Sequence, residues 1–402
     1  MPDLPAPALD PTTLDLFDRP DAAGPSPRAA ALMAPVPGLD AGLVHEARPG
    51  YGDPPTPFYA SPDDSLRLYQ ADALDLLRRM RDESVDMIFA DPPYFLSNGG
   101  ITCVGGRMVK VDKGGWDKSA GITGDHNFNL LWLDQCRRIL RPNGTLWVTG
   151  TSHNIHSVGY GLQVLDYKIL NDIAWYKINP PPNLACRYFT HATETIVWAA
   201  KSAKSRHTFN YPLMKEQNGG KQMQSLWSIT PPGKSEKRFG KHPTQKPEAL
   251  LRRIVEASTH FGELVLDPFC GSATTGVACA RLGRRFVGID KEQEYLSLAV
   301  KRLADEVKQV TLVFAFAGAP TKTGEETEWK KQEAGALTWT EIVSFALTSL
   351  GGEGNLNEIN QIVEKNPRTL SNPTWPSTVR RVVRQSEKIS AVGRGRYKLH
   401  YD

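Results

Sequence analysis

Leu264-Val265-Leu266-Asp267-Pro268-Phe269-Cys270-Gly271-Ser272-Ala273-Thr274-Thr275-Gly276 is an apolar run ending in an acid, then a turn of small residues, then the start of a helix. Three unbroken apolar residues before Asp267 read as a strand buried on both faces. The small side chains after it let the backbone approach a ligand at the carboxyl edge of a sheet. Asp267 is placed to accept a hydrogen bond from a ligand amino group. The next strand, Arg285–Asp290, ends in a second acid, where a carboxylate can bind both hydroxyls of a ribose. A glycine-rich turn alone also fits plain helix-on-strand packing, and the second strand-end acid argues against that simpler reading. No Gly-Lys-Ser/Thr follows the turn, so a phosphate loop does not fit. An acid-rich mouth suits a cationic ligand better than a pyrophosphate.

On both sides of this stretch, strands and helices alternate. Strands are expected at Leu66–Gln70, Val85–Ala90, Thr145–Thr149, Asp172–Lys177 and Thr195–Ala200, with helices at Ala73–Met80, Phe128–Leu140, Pro247–His260, Thr274–Leu282 and Glu292–Val307. Pro142-Asn143-Gly144 marks a turn. This alternation implies an α/β fold with right-handed crossovers and a largely parallel sheet. The alternation fails over 201–240, which reads as an insertion rich in Lys, Arg, Gln, Asn and Gly.

A second motif stands far upstream. Asp86-Met87-Ile88-Phe89-Ala90 reads as a buried strand running into Asp91-Pro92-Pro93-Tyr94-Phe95. Two prolines stop the ladder and hold a rigid loop, fixing Asp91 and the Pro92 carbonyl. An ordinary strand end explains Asp-Pro-Pro by itself, but one chemistry needs this arrangement. A base's exocyclic amino group is a poor nucleophile, because its lone pair is delocalised into the ring. A carboxylate and a backbone carbonyl that accept its two N–H bonds redirect that lone pair and stabilise the developing ammonium. Tyr94 offers a face on which an extruded base can stack; Phe95 is a second wall or a core aromatic.

Asp-Pro-Pro-Tyr followed much later by Asp-Pro-Phe-Cys-Gly-Ser resembles the beta class of DNA amino-methyltransferases, over about residues 65–305. The resemblance implies a Rossmann-like methyltransferase sheet with circularly permuted motif order. It also implies transfer of a methyl group from S-adenosylmethionine to a flipped base in double-stranded DNA. Asp91, Pro92, Pro93 and Tyr94 would then be catalytic. Asp267, Pro268, Phe269, Gly271, Ser272, Thr274, Thr275 and Asp290 would hold the cofactor. Lys241-His242-Pro243-Thr244-Gln245-Lys246-Pro247 resembles the remaining cofactor-side motif, adding Thr244 and Lys246. Asp72 either reaches the cofactor adenine or simply caps a helix. Phe95–Gly100 and Gly114–Asp117 resemble a mobile loop over the base, and 179–183 with Arg187-Tyr188-Phe189 resembles the contact to the displaced nucleotide. Asp91 at the head of the proline motif favours adenine N6, with cytosine N4 as the alternative. Cytosine C5 is disfavoured, since no Pro-Cys pair offers a nucleophile.

Composition sets the outer limits. The chain has 402 residues and a net charge of +4. Residues 1–60 hold thirteen of the thirty prolines and a net charge of −5, leaving +9 for the remainder. They read as a disordered leader, and the basic remainder suits a polyanion. Five cysteines without a CxxC pair argue against a disulfide framework or zinc, and no metal is expected. There is neither a signal-peptide pattern nor a long apolar span. The expected location is therefore the bacterial cytoplasm, at the nucleoid, and relatives of this class suggest a homodimer.

The expected organisation is leader 1–60, catalytic domain 61–316 with a target-recognition insertion at 201–240, linker 317–336, and a small domain at 337–402. Three helices and a hairpin make the last a winged-helix-like unit. Phosphate contacts are expected from Lys201, Lys204, Arg206, Lys234, Lys237 and Arg238 in the insertion, and from Arg380, Arg384 and Arg394 in the small domain. A DNA-binding regulator without activity is the competing class of function. The joint presence of Asp91-Pro92-Pro93-Tyr94 and Asp267 speaks against it.

Overall fold

The computed structural model describes residues 16–17, 24–33, 54–97, 101–104, 107–110, 117–180, 182–183, 186–318, 338–349, 353–364, 374–386, 388–393 and 395–400. The chain divides into a larger unit, Asp15–Glu306, and a smaller one that includes Val307–Asp402.

From the amino-terminal side the elements are α1 (Pro27–Leu32), β1 (Tyr59–Ala60), β2 (Leu66–Gln70), α2 (Ala73–Arg79), β3 (Val85–Ala90), β4 (Ile101–Val104), β5 (Arg107–Lys110), α3 (Ile122–Ile139), β6 (Leu140–Gly150) and α4 (Ile155–Val164). There follow β7 (Lys168–Tyr176), β8 (Thr193–Ala200), α5 (Tyr211–Gln217), β9 (Leu226–Ser228), α6 (Glu248–Ser258), β10 (Leu264–Asp267), α7 (Thr274–Leu282), β11 (Arg285–Asp290) and α8 (Gln293–Gly318). One nine-stranded sheet has the order β1-β2-β11-β10-β3-β6-β8-β7-β9.

The apolar runs settle at its centre. β10 is buried along its whole length, as a parallel strand covered on both faces must be. The five strands β2, β11, β10, β3 and β6 are parallel. Their carboxyl ends therefore open on one edge, and β10 lies directly beside β3 although the two are far apart in the chain.

The sheet is more mixed than the alternation implied. β8 runs antiparallel to β6, β7 antiparallel to β8, and β1 antiparallel to β2. Among the described residues, the link between β7 and β8 carries no crossover helix, and without one a neighbouring strand must return antiparallel. Trp147 and Trp198 face each other in this register and stack at 4.7 Å.

Local polar contacts moved several boundaries. Asp125 accepts from Ala120 N at 2.9 Å and Ser119 Oγ at 2.6 Å, so α3 starts at Ile122, ahead of the apolar periodicity that marked Phe128. Pro142-Asn143-Gly144 is an irregularity inside β6, where the residue paired with β3 jumps from Leu140, opposite Val85, to Thr145, opposite Met87. Helix α4 stands where the sequence reading placed no element, and it carries two glycines, Gly159 and Gly161. Gly161 allows close packing on α3, where a Cβ would come within 2.8 Å of Leu133. The insertion is partly built into the sheet, since β9 pairs in parallel with β7.

Parts of the leader are folded as well. Leu16 and Phe17 are only 4% and 7% exposed, and Phe17 packs edge-on against Tyr69. Ser26 caps α1 and binds Asp134 through its backbone and hydroxyl at 2.8 and 2.6 Å. Isolated apolar residues between prolines carry no periodic signal, so only the tertiary fold reveals these anchors. Helix α8 extends to Gly318, into the first residues of the expected linker.

The smaller unit holds α9 (Trp339–Ser349), β12 (Glu353–Asn355), α10 (Leu356–Val363), α11 (Trp375–Gln385), β13 (Ile389–Gly393) and β14 (Arg396–Leu399). Its strands form an antiparallel sheet in the order β12-β14-β13. Ile342, Val343, Leu347, Ile359, Val379 and Val383 make its core. α10 begins with a reciprocal capping box between Asn355 and Glu358. Among the described residues, no helix is long and apolar enough to cross a membrane.

Candidate active site

The turn after β10 is held open by the two acids. Asp267 accepts from Phe269 N at 3.1 Å and from Thr275 Oγ1 at 2.6 Å. Asp290 accepts from Gly271 N and Glu292 N, both at 2.8 Å. Gly271 adopts φ of 50°, and a Cβ there would meet the His242 ring at 2.9 Å. Glycine is therefore required by both conformation and space.

Arg302 on α8 completes the turn and was not foreseen. It is 5% exposed and donates to the Ser272 carbonyl at 2.6 Å, Ser272 Oγ at 2.9 Å and Thr274 Oγ1 at 2.9 Å. The signal in the sequence was an arginine among the apolar residues Leu296, Ala299 and Leu303, a face that should be buried. Ser272 and Thr274, expected as ligand contacts, thus already serve Arg302 through their oxygens.

At the end of β3, Asp91 accepts from Tyr94 Oη at 2.8 Å, from Thr149 Oγ1 at 2.6 Å and from the Lys246 ammonium. Asp117 is fully buried and accepts from Tyr94 N at 3.0 Å, Leu96 N at 3.2 Å and Ser97 Oγ at 2.8 Å. It therefore fixes the chain that follows the prolines, through a left-handed Phe95 at φ of 58°. Asn154 also reaches the Pro93 carbonyl, at 3.4 Å. The rest of the expected mobile loop, Asn98–Gly100 and Gly114–Trp116, lies outside the described residues.

Tyr94 corrects one reading. The residue is 7% exposed and its hydroxyl donates to Asp91, so it supports the carboxylate and offers little free face. Pro93, Phe128 and Phe269 supply the apolar lining instead.

Both motifs open into one cleft of about 280 Å³. Asp72, Asp91, Pro93, Thr244, Lys246, Asp267–Ser272, Thr274, Thr275 and Asp290 all line it. Asp72 both caps α2, accepting from Leu74 N at 2.9 Å, and lines the cleft, so its two readings are compatible. Lys246, expected at the cofactor, places its Nζ on Asp91.

The charges are strongly coupled. Burial pushes Asp267 up to about 7, aided by Asp91 and Asp290 and opposed by its bonds from Thr275 and Phe269. Asp290 is raised for the same first reason. Burial acts upward on Asp91 too, but the Lys246 charge and the bonds from Lys246, Thr149 and Tyr94 outweigh it and hold the carboxyl below its ordinary value. His242 falls to about 4 through burial, with Lys246 and Arg302 adding to that. Buried acids that raise one another make a site that gains by receiving a cation. This donor set fits a sulfonium cofactor with an amino group and a ribose. Among the described residues, no cluster of His, Cys, Asp or Glu is arranged to hold a metal ion.

The expected DNA-binding residues are scattered. Ala200, at the end of β8, pairs with Thr145, the first β6 residue that β8 reaches, while Thr195 pairs with Gly150 at the carboxyl end of β6. The antiparallel direction therefore carries Lys201, Lys204 and Arg206 to the edge opposite the cleft. Lys201 binds Glu83 Oε1 at 2.9 Å and the Leu140 carbonyl at 2.6 Å, a structural tie in place of a phosphate contact. Lys234 is exposed and Lys237 half-buried, on the segment that leads to His242. Arg238 pairs with Asp305. Arg380 and Arg384 are exposed on α11, opposite its buried valines; Arg394 lies outside the described residues. The same reversal brings the link from β7 to β8 to the cleft edge, with Phe189 96% exposed.

Residues 85–301 match the family described as DNA methylase, N6_N4_Mtase. The chain is 56% identical over 248 residues to the type II methyltransferase M2.LlaDCHI of Lactococcus lactis subsp. cremoris, spanning 61% of this chain and 91% of that protein. It is likewise 56% identical over 251 residues to the type II methyltransferase M2.DpnII of Streptococcus pneumoniae, spanning 62% and 93%. Among solved structures, the cytosine-N4-specific PvuII DNA methyltransferase shares the fold, with a TM-score of 0.50 and 18% identity over 64% of this chain and 95% of that one.

Proposed function

The chain belongs to the DNA methylase family, whose match spans more than half of it, and from that premise we propose that it methylates adenine N6 of a flipped base in double-stranded DNA. It is an S-adenosylmethionine-dependent, site-specific DNA methyltransferase. The cofactor supplies a methyl group activated by a cationic sulfur. Asp267 and Asp290 would hold its amino and ribose groups, and Asp72 and Thr244 would complete the mouth.

The observation that carries the reading is Asp91, a carboxylate fixed at the end of β3 by Tyr94, Thr149 and Lys246, in the same cleft as Asp267. A carboxylate kept below its ordinary pKa is a poor proton acceptor but a strong hydrogen-bond acceptor. It draws one N–H of the amino group, and the Pro92 carbonyl draws the other. The nitrogen lone pair then points out of the ring plane, and the charge that grows on nitrogen in the transition state is stabilised. As the nitrogen–methyl bond forms the methyl–sulfur bond would break, leaving a neutral thioether, and the surplus proton on nitrogen would pass to solvent water. Pro93 and Phe128 offer the apolar wall against which an extruded base can lie.

DNA would lie across the carboxyl edge, with Lys234 and Lys237 on phosphates and Arg187-Tyr188-Phe189 against the displaced nucleotide. A second grip would come from the smaller unit, read as a winged helix, through Arg380 and Arg384. A homodimer and a place at the bacterial nucleoid complete the reading; both follow from the resemblance to the beta class.

Labelled-methyl transfer to duplex DNA, followed by mass spectrometry of the hydrolysed nucleosides, tests it. N6-methyladenine is expected from the wild type, and a loss of about 100-fold or more from Asp91→Ala. N4-methylcytosine as the sole product would overturn the choice of base, and equal incorporation by both proteins would overturn the mechanism.

A further inference from the structure

The two oxygens of Asp91 offer about four lone pairs, and the structure occupies three. Oδ1 accepts from both hydroxyls, Tyr94 at 2.8 Å and Thr149 at 2.6 Å. Oδ2 accepts from Lys246. The Lys246 and Asp91 side chains are 8% and 14% exposed, so water competes weakly for either charge. Lys246 Nζ also lies 5.4 Å from the centre of the Tyr94 ring, so the ammonium sits against both the carboxylate and the tyrosine that supports it. Pro247 follows at once and α6 begins at Glu248, so the lysine backbone is anchored at a helix start.

We propose that Lys246 is a positioning residue for the methyl-accepting amine: it keeps Asp91 ionised and leaves one lone pair of Oδ2 as the acceptor for the substrate N–H. The inference rests on the role given to Asp91 above. Burial alone drives a carboxyl towards its neutral form, and a proton on Oδ2 would turn the needed acceptor into a donor. The ammonium removes that outcome. The other ionisable groups that act on this pair are Glu194 on β8, Asp267 on β10, and Tyr94, with His242 in turn feeling both partners. None of them is a cation able to replace Lys246.

The test is single-turnover methylation of duplex DNA at saturating S-adenosylmethionine across pH, with cofactor affinity measured separately by calorimetry. For Lys246→Met the rate at pH 7 should fall about 100-fold. Its acid limb should move up by about one pH unit or more, while cofactor affinity changes less than about threefold. Lys246→Arg should recover most of the rate and the original profile. In an Asp91→Asn background, where no charge remains to be held, adding Lys246→Met should cost less than about threefold. That double variant also strands no buried charge, so it remains informative if the single variant folds poorly.

Weaker cofactor binding in Lys246→Met, with a wild-type rate and profile at saturation, would overturn the proposal and return Lys246 to the cofactor. So would an equal rate loss in both backgrounds with an unshifted profile. If instead Asp91→Ala retains the wild-type rate, the assignment of Asp91 itself has failed, whatever Lys246 does.

Discussion

At the scale of single residues, Asp267 carries the clearest pH signature. Burial and the neighbouring Asp91 and Asp290 raise it to about 7 from an ordinary 3.8. The folded protein therefore keeps a proton that the unfolded chain gives up, and stability falls as pH rises between those two values. Asp267→Asn removes this loss. Its melting temperature should exceed that of the wild type by a few degrees at pH 8 and by much less at pH 4.5, as read by scanning calorimetry. A cationic cofactor favours the ionised form, so binding should release a proton near pH 7 and weaken as pH drops below it. Calorimetry in buffers of different ionisation enthalpy reads that proton directly. A pH-independent affinity in the wild type would contradict this role for Asp267.

At the scale of elements, the link between β7 and β8 is set apart by its exposed aromatics. Phe189 and Tyr188 are 96% and 61% exposed, which has no folding benefit, and the reversal of β8 aims their loop at the cleft edge. If they stack on the strand that the flipped base leaves, Phe189→Ala should weaken productive DNA binding by about tenfold, the worth of one lost stacking contact. Cofactor affinity should stay unchanged. Fluorescence of a 2-aminopurine placed at the target base would follow extrusion, and undiminished extrusion would remove Phe189 from that task. The opposite case is the segment 201–206. Its charges looked equally suited to DNA in the sequence, but strand direction sets them at the other edge.

At the scale of the whole molecule, the chain joins a methyltransferase sheet to a second unit, whose described residues include α9, α10, α11 and a three-stranded sheet around their own core. Removing residues 337–402 should weaken DNA binding by about tenfold and flatten its salt dependence, because phosphate contacts contribute through counterion release. The single-turnover rate at saturating DNA should change less than about twofold, since the family match ends at residue 301. Fluorescence anisotropy over a salt series measures both quantities. An unchanged affinity and slope would assign the unit to a partner other than DNA.

The sequence by itself determined the α/β class, the cofactor turn between Asp267 and Gly276, the Asp91-Pro92-Pro93-Tyr94 loop and the reaction they imply. Each is encoded locally, as an apolar run with its terminating residues. Tertiary structure decided which side chains hold those motifs. Arg302, Thr149, Asp117 and Lys246 reach the site from four distant segments, and no local pattern records where a buried polar side chain will find its partner. It also decided which basic and aromatic residues face the cleft, because the direction of β8 follows from how it pairs with β6 and not from its own composition.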